Sequence, residues 1–118
     1  LPDCPSATFR LLHEAPWEKE ARIAPHFYLI RHRTQLELYE TNLRFDLVYF
    51  DAFSPAVQPT LWQKEIFDRL FSIMAPGSLL VTYAAKGQVR RNMQEAGFRT
   101  ERLPGAPGKR EMLRARKF

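Results

Sequence analysis

The stretch Phe45-Asp46-Leu47-Val48-Tyr49-Phe50 is a near-continuous apolar run that stops at Asp51. A run without polar alternation predicts a strand covered on both faces, as in a parallel sheet, here spanning about 43–50. Pro55 and Pro59 mark the loop after it. Thr60 then reads as a helix N-cap, with Gln63 completing a capping box. Trp62, Ile66, Phe67, Leu70, Phe71 and Met74 recur at steps of three and four, so the pattern predicts an amphipathic helix over about 61–74. Pro76-Gly77 is its expected stop, and 78–83 is the next strand. Val89, Met93 and Ala96 give a second helix over 86–96 its inner face, with Gly97 at the C-terminal stop. Residues 98–103 alternate as a half-buried strand does, 104–108 are a Pro/Gly turn, and 111–115 return as the other arm of a hairpin. Upstream, Phe27-Tyr28-Leu29-Ile30 reads as one more short strand, and residues 1–26, with four prolines, are the least regular part.

Strand, helix, strand, helix and hairpin together predict an α/β fold. The expected architecture is a single domain over 1–118 with 1–26 as lead-in. Its mostly parallel sheet is closed by an antiparallel hairpin. With 118 residues the chain can build one modest core, to which nine Phe, four Tyr and two Trp add bulk. No apolar run reaches membrane-spanning length, so a soluble protein with no membrane partner is expected. The single Cys4 suits a reducing cytosol. One Cys and three scattered His have no metal-ligand spacing, so no metal site is predicted. A start at Leu1 without Met is expected of a piece of a longer protein.

Charge changes the picture more. Residues 86–118 hold ten Lys or Arg against three acids, a balance of +7; residues 1–85 hold eight against ten, a balance of −2. Such a basic third suits a polyanion such as RNA, or else is a solvated tail. Ligands of open α/β sheets bind beyond the carboxyl ends of the strands. Three segments fall there. Asp51 directly follows the most apolar strand and can hold a cationic amine or accept its proton, or else cap a turn. Lys86 follows the next strand and can meet a phosphate, or simply open a helix. The glycines of 104–108, with Lys109 and Arg110, can approach an anion, although a plain hairpin turn is the simpler reading. Trp17 stands in a Pro-marked loop, partly exposed or packed on a sheet edge.

The chain also carries a series of specific motifs. These are His13-Glu14-Ala15-Pro16-Trp17-Glu18-Lys19, Asp51-Ala52-Phe53-Ser54-Pro55, Gln58-Pro59-x-Leu61-Trp62, Val81-Thr82-Tyr83-x-Ala85-Lys86-Gly87-x-Val89-Arg90-Arg91 and Pro107-Gly108-Lys109-Arg110-Glu111-Met112. The series resembles the tRNA 5-methylaminomethyl-2-thiouridine methyltransferase family, of the MnmC/MnmD type, over nearly all of the chain from His13. The resemblance implies a partial Rossmann-like methyltransferase sheet. It implies transfer of a methyl group from S-adenosylmethionine to the amine of 5-aminomethyl-2-thiouridine in tRNA, in the cytoplasm. Asp51 would be the catalytic carboxylate. Phe53, Ser54, Pro55 and Trp17 would shape the substrate pocket, and Asp51, Ala52 and Phe53 would touch the cofactor. Lys86, Arg90, Arg91, Lys109 and Arg110 would face the tRNA.

The family's Gly-rich turn and its acid for the cofactor ribose are not in this sequence. The chain therefore reads as the second half of the enzyme, expected to bind S-adenosylmethionine weakly or not at all by itself. Its strand at 27–30, deprived of neighbours, must pair elsewhere, stay loose or associate with another chain. An open sheet edge is expected to seek the missing N-terminal half or a second copy. The rival reading is a non-catalytic RNA-binding or interaction module of the same fold, or a truncated piece without function of its own.

Overall fold

The computed structural model of the chain describes residues 6–52, 54–84, 86–104 and 112–118. Where a single domain with a lead-in is expected, it forms two compact units, Leu1–Tyr39 and Glu40–Phe118.

The first unit corrects the expectation of an irregular lead-in. It holds helix α1 (Ser6–Glu14), strands β1 (Glu20–Ala24) and β2 (Phe27–Ile30), and a 3-10 turn at Leu36–Leu38. Four prolines hide α1 in the sequence. Within this helix Phe9 and His13 stack one turn apart, ring centroids 4.0 Å, and the His13 ring nitrogen meets the Phe9 carbonyl at 2.8 Å, a pairing that supports the helix. The 27–30 strand does pair elsewhere: β2 runs antiparallel to β1, with a register shift between Arg22 and Ala24.

The second unit contains β3 (Phe45–Phe50), α2 (Lys64–Ser72), β4 (Met74–Thr82), α3 (Gly87–Ala96), β5 (Arg99–Leu103) and β6 (Met112–Arg116). Its sheet has the order β3-β4-β6-β5. β3 and β4 are parallel, and β6 is antiparallel to both β4 and β5. This is an α/β sheet closed by an antiparallel hairpin, as the pattern predicts. One face is the core. Phe50, Leu80, Thr82, Leu113 and Ala115 are buried there with Ile66, Phe67 and Leu70 of α2 and Val89 and Met93 of α3. Trp62 joins them, edge-on to Phe50 at 4.9 Å.

Three local expectations fail. β3 is not covered on both faces: Leu47 is 59% and Tyr49 68% exposed. β3 is an edge strand, and the contacts of Phe50 with Trp62 and Phe67 show that α2 packs on the opposite face. The helix expected over 61–74 is shorter. Pro59–Trp62 form a 3-10 turn, Gln63 is the N-cap of α2 without a side-chain cap bond, and the Thr60–Gln63 box does not form. Burial of Trp62, only 2% exposed, draws this turn inward and overrides the capping pattern. Nor is Pro76-Gly77 the stop. The helix ends at Ser72, where the Lys117 ammonium donates to the carbonyls of Phe71 (2.7 Å) and Met74 (2.8 Å). A cation against the open carbonyls of a helix end is favourable. Pro76 and Gly77 lie inside β4, where its register against β3 shifts. α3 ends as expected, at Gly97 with φ 113°.

Candidate active site

The parallel register sets Phe50 of β3 beside Thr82 of β4. The next residues, Asp51 and Tyr83, therefore leave the carboxyl ends of neighbouring strands side by side. The Tyr83 hydroxyl donates to the Ala52 carbonyl at 2.6 Å and ties the two strand ends together. Asp51, Ala52, Gln58 and Tyr83 line an open cleft of about 460 Å³, within the range of small-molecule sites. Trp62 supports Tyr83 edge-on at 6.0 Å. Gln58 is placed by a turn in which the Val57 and Gln58 amides both donate to the Ser54 carbonyl, at 2.9 and 2.8 Å.

The cleft combines an exposed carboxylate, a primary amide and an aromatic ring. A carboxylate can hold an ammonium group and take its proton, an amide can both donate and accept, and a ring can stack. Asp51 and Ala52 stand in the cleft as expected. Ser54 and Pro55 are half-buried in the following turn, and neither is among its lining residues. Phe53, Lys109 and Arg110 lie outside the described residues. Gln58 and Tyr83 were not singled out from the sequence, although each stands inside a quoted motif.

Trp17 belongs to the first unit. It is 41% exposed, and its ring is engaged by the guanidinium groups of Arg31 at 4.1 Å and Arg33 at 4.6 Å. The adjacent Glu18 sits at φ 61°. Its carboxylate accepts from the Arg33 amide and pairs with the His32 ring, both at 2.6 Å. These two contacts, the amide first, hold its pKa below the ordinary carboxylate value.

The basic residues separate by environment. Lys86, exposed, is the N-cap of α3. Arg91, also exposed, donates to the Gln88 side chain at 3.1 Å. Arg90 is half-buried, and its Nε has no hydrogen-bond partner among the described residues. Lys117 is turned inward onto α2, and Arg114 is paired with Glu101. A smaller cleft of about 190 Å³ opens among Arg99, Thr100, Glu101, Arg114, Arg116 and Phe118. It lies roughly 10 Å back along the strands from the Asp51 end, and its only acid among the described residues is the paired Glu101, which sets it apart from the Asp51 cleft.

A model of the S-adenosyl-L-methionine-dependent methyltransferase family matches residues 18–118. The chain belongs to that family. Curated relatives include the tRNA 5-methylaminomethyl-2-thiouridine biosynthesis bifunctional protein MnmC of Azoarcus sp. (strain BH72), 42% identical over 79 residues, which are 67% of this chain and 12% of the relative. The protein of the same name from Stutzerimonas stutzeri (strain A1501) is 44% identical over 73 residues, 62% of this chain and 11% of the relative. The chain thus spans about 12% of the length of the curated relatives it matches. Among solved structures, MnmC2 from Aquifex aeolicus shares the fold at a TM-score of 0.73 and 23% identity, over 90% of this chain and 34% of that one. The N-methyltransferase NodS from Bradyrhizobium japonicum WM9 shares it at 0.50 and 17%, over 73% and 57%. The partial Rossmann-like methyltransferase sheet expected from the motifs is the sheet observed.

The sequence holds neither a Gly-rich turn after a strand nor an acid placed for a cofactor ribose, so the described residues do not make up a cofactor site. Among the described residues no helix is long and apolar enough to cross a membrane.

Proposed function

We propose that the chain is the carboxyl-terminal part of the methyltransferase that N-methylates the aminomethyl group of 5-aminomethyl-2-thiouridine at the tRNA wobble position. The observation that carries this reading is Asp51. It is an exposed carboxylate at the carboxyl end of a parallel strand, in a cleft walled by Gln58 and Tyr83. S-adenosylmethionine supplies an electrophilic methyl group to such reactions. What this chain contributes is the hold on the accepting amine. A carboxylate favours the charged ammonium, so Asp51 binds it in that form. It then takes the proton that the nitrogen must lose to make its lone pair available. Most of the remaining acceleration is positioning.

Lys86, Arg90 and Arg91 support the RNA side of the reading. Cations at a helix N-terminus oppose the helix dipole, so their crowding at the start of α3 is better explained by an anionic partner. Lys109 and Arg110 are proposed to face tRNA phosphates as well. The same basic residues also suit a second reading, a module that binds RNA without catalysis. Labelled methyl transfer to tRNA carrying 5-aminomethyl-2-thiouridine separates the two. The protein containing this chain is expected to transfer methyl to that nitrogen. The 118-residue chain alone is expected to show no low-micromolar binding of S-adenosylmethionine by calorimetry. Absence of transfer by the longer protein, with tRNA binding intact, would leave the module reading standing.

A further inference from the structure

We infer that Tyr83 and Gln58 hold the pyrimidine ring of the substrate nucleotide, Tyr83 by stacking and Gln58 by hydrogen bonds to the ring's polar edge. The inference rests on the proposed methyl transfer at Asp51 and adds to it the residues that present the base.

Tyr83 is 41% exposed although it touches the core, so part of its ring is free for a ligand. Its hydroxyl is committed to the Ala52 carbonyl at 2.6 Å, and Trp62 meets it edge-on. The ring is therefore fixed at both ends before anything binds. A fixed aromatic ring is a good platform for an unstacked base, because little side-chain freedom remains to be lost. The same hydroxyl bond fixes the backbone next to Asp51, so the ring and the carboxylate share one frame. Gln58 lines the same cleft, and its amide carries both a donor and an acceptor. A uracil-type edge presents an N–H beside carbonyl or thiocarbonyl acceptors, and one amide can answer that pattern. A ring substituent at the 5-position would then reach Asp51. A base must leave its stack to enter such a cleft, as bases do in enzymes that modify them.

The test uses RNA stem-loops with 5-aminomethyluridine, 5-methyluridine, 5-methylcytidine or an abasic residue at one loop position, bound to the 118-residue chain. The wild type should prefer the base over the abasic loop, and the aminomethyl over the methyl base. Tyr83→Leu should lose about tenfold of the base preference, the scale of one stacked base. Tyr83→Phe, which keeps the ring and loses the hydroxyl, should retain it. Gln58→Ala should lose discrimination between uridine and cytidine at that position. Circular dichroism verifies folding, and should Tyr83→Leu fail to fold, Gln58→Ala with Tyr83→Phe decides. An unchanged base preference in Tyr83→Leu, or unchanged uridine discrimination in Gln58→Ala, overturns the inference even if the amine is still preferred. Loss of the amine preference alone, with the base preference intact in the wild type, overturns the Asp51 reading instead.

Discussion

Two acids show how position decides what a carboxylate does. Asp51 is exposed at the end of β3, beside Tyr83 and Gln58. Asp51→Asn keeps its size and hydrogen bonding but removes the base. In the protein that carries the complete methyltransferase domain, single-turnover methylation of aminomethylated tRNA should slow at least about a hundredfold, with affinity for tRNA lacking the aminomethyl group little changed. Near-normal turnover would make Asp51 a turn residue. Glu18 has the opposite character. The Arg33 amide, and after it the His32 ring, lower its pKa. A carboxyl group whose folded pKa is depressed adds stability above its unfolded pKa, and that stability disappears as pH falls through the folded value. Melting of the wild type should therefore fall on acidification below the ordinary carboxylate range, and Glu18→Gln should flatten the decline. Parallel pH profiles for the two proteins would remove Glu18 from this account.

At the scale of elements, the helices are held by tertiary contacts more than by their own caps. Neither Gln63 nor Lys86 makes a side-chain cap bond, whereas Lys117 closes the end of α2 from a different part of the chain. Gly97 is the tightest of these junctions. Its φ is 113°, and a Cβ there would stand 3.0 Å from the Phe71 ring. Gly97→Ala therefore combines backbone strain with a clash at the packing of Phe71 on Phe98, whose rings are 5.1 Å apart. We expect a loss of about 1–3 kcal/mol, read by urea denaturation. An unchanged midpoint would mean that the α3–β5 turn relaxes freely.

For the molecule as a whole, β3 is the edge of a parallel pair and exposes Leu47 and Tyr49. Open edges with apolar neighbours attract other strands. The chain is expected to self-associate in sedimentation velocity, and Leu47→Lys should shift it toward monomer. A monomer at high concentration would count against an adhesive edge. The uneven charge makes a second expectation. Binding to tRNA should weaken steeply with salt, and Lys86→Ala with Arg91→Ala should reduce the log–log slope by about two. An identical slope would place the RNA on another surface.

Much of the second unit was legible in the sequence because its signals are local. The apolar run ending at Asp51, the spacing of Val89 and Met93, and Gly97 after them each need only neighbouring residues to be read. The candidate carboxylate was legible for the same reason, since it follows the strand directly. Residues that act through distant partners were not. Tyr83 joins the cleft because its hydroxyl reaches Ala52, thirty-one positions away. Gln58 joins Asp51 in lining the cleft only once the turn at Ser54 is folded. The pairing of β2 with β1, the exposure of Leu47 and the inward turn of Lys117 likewise depend on what the rest of the chain leaves uncovered. Periodicity tells a strand how to alternate, but not which of its faces finds a neighbour. For the second unit, the sequence by itself thus determined the kinds of element, their order and the acid at the strand end. The tertiary structure decided which face is buried and which side chains join that acid, because burial and long-range hydrogen bonds are properties of the packed chain.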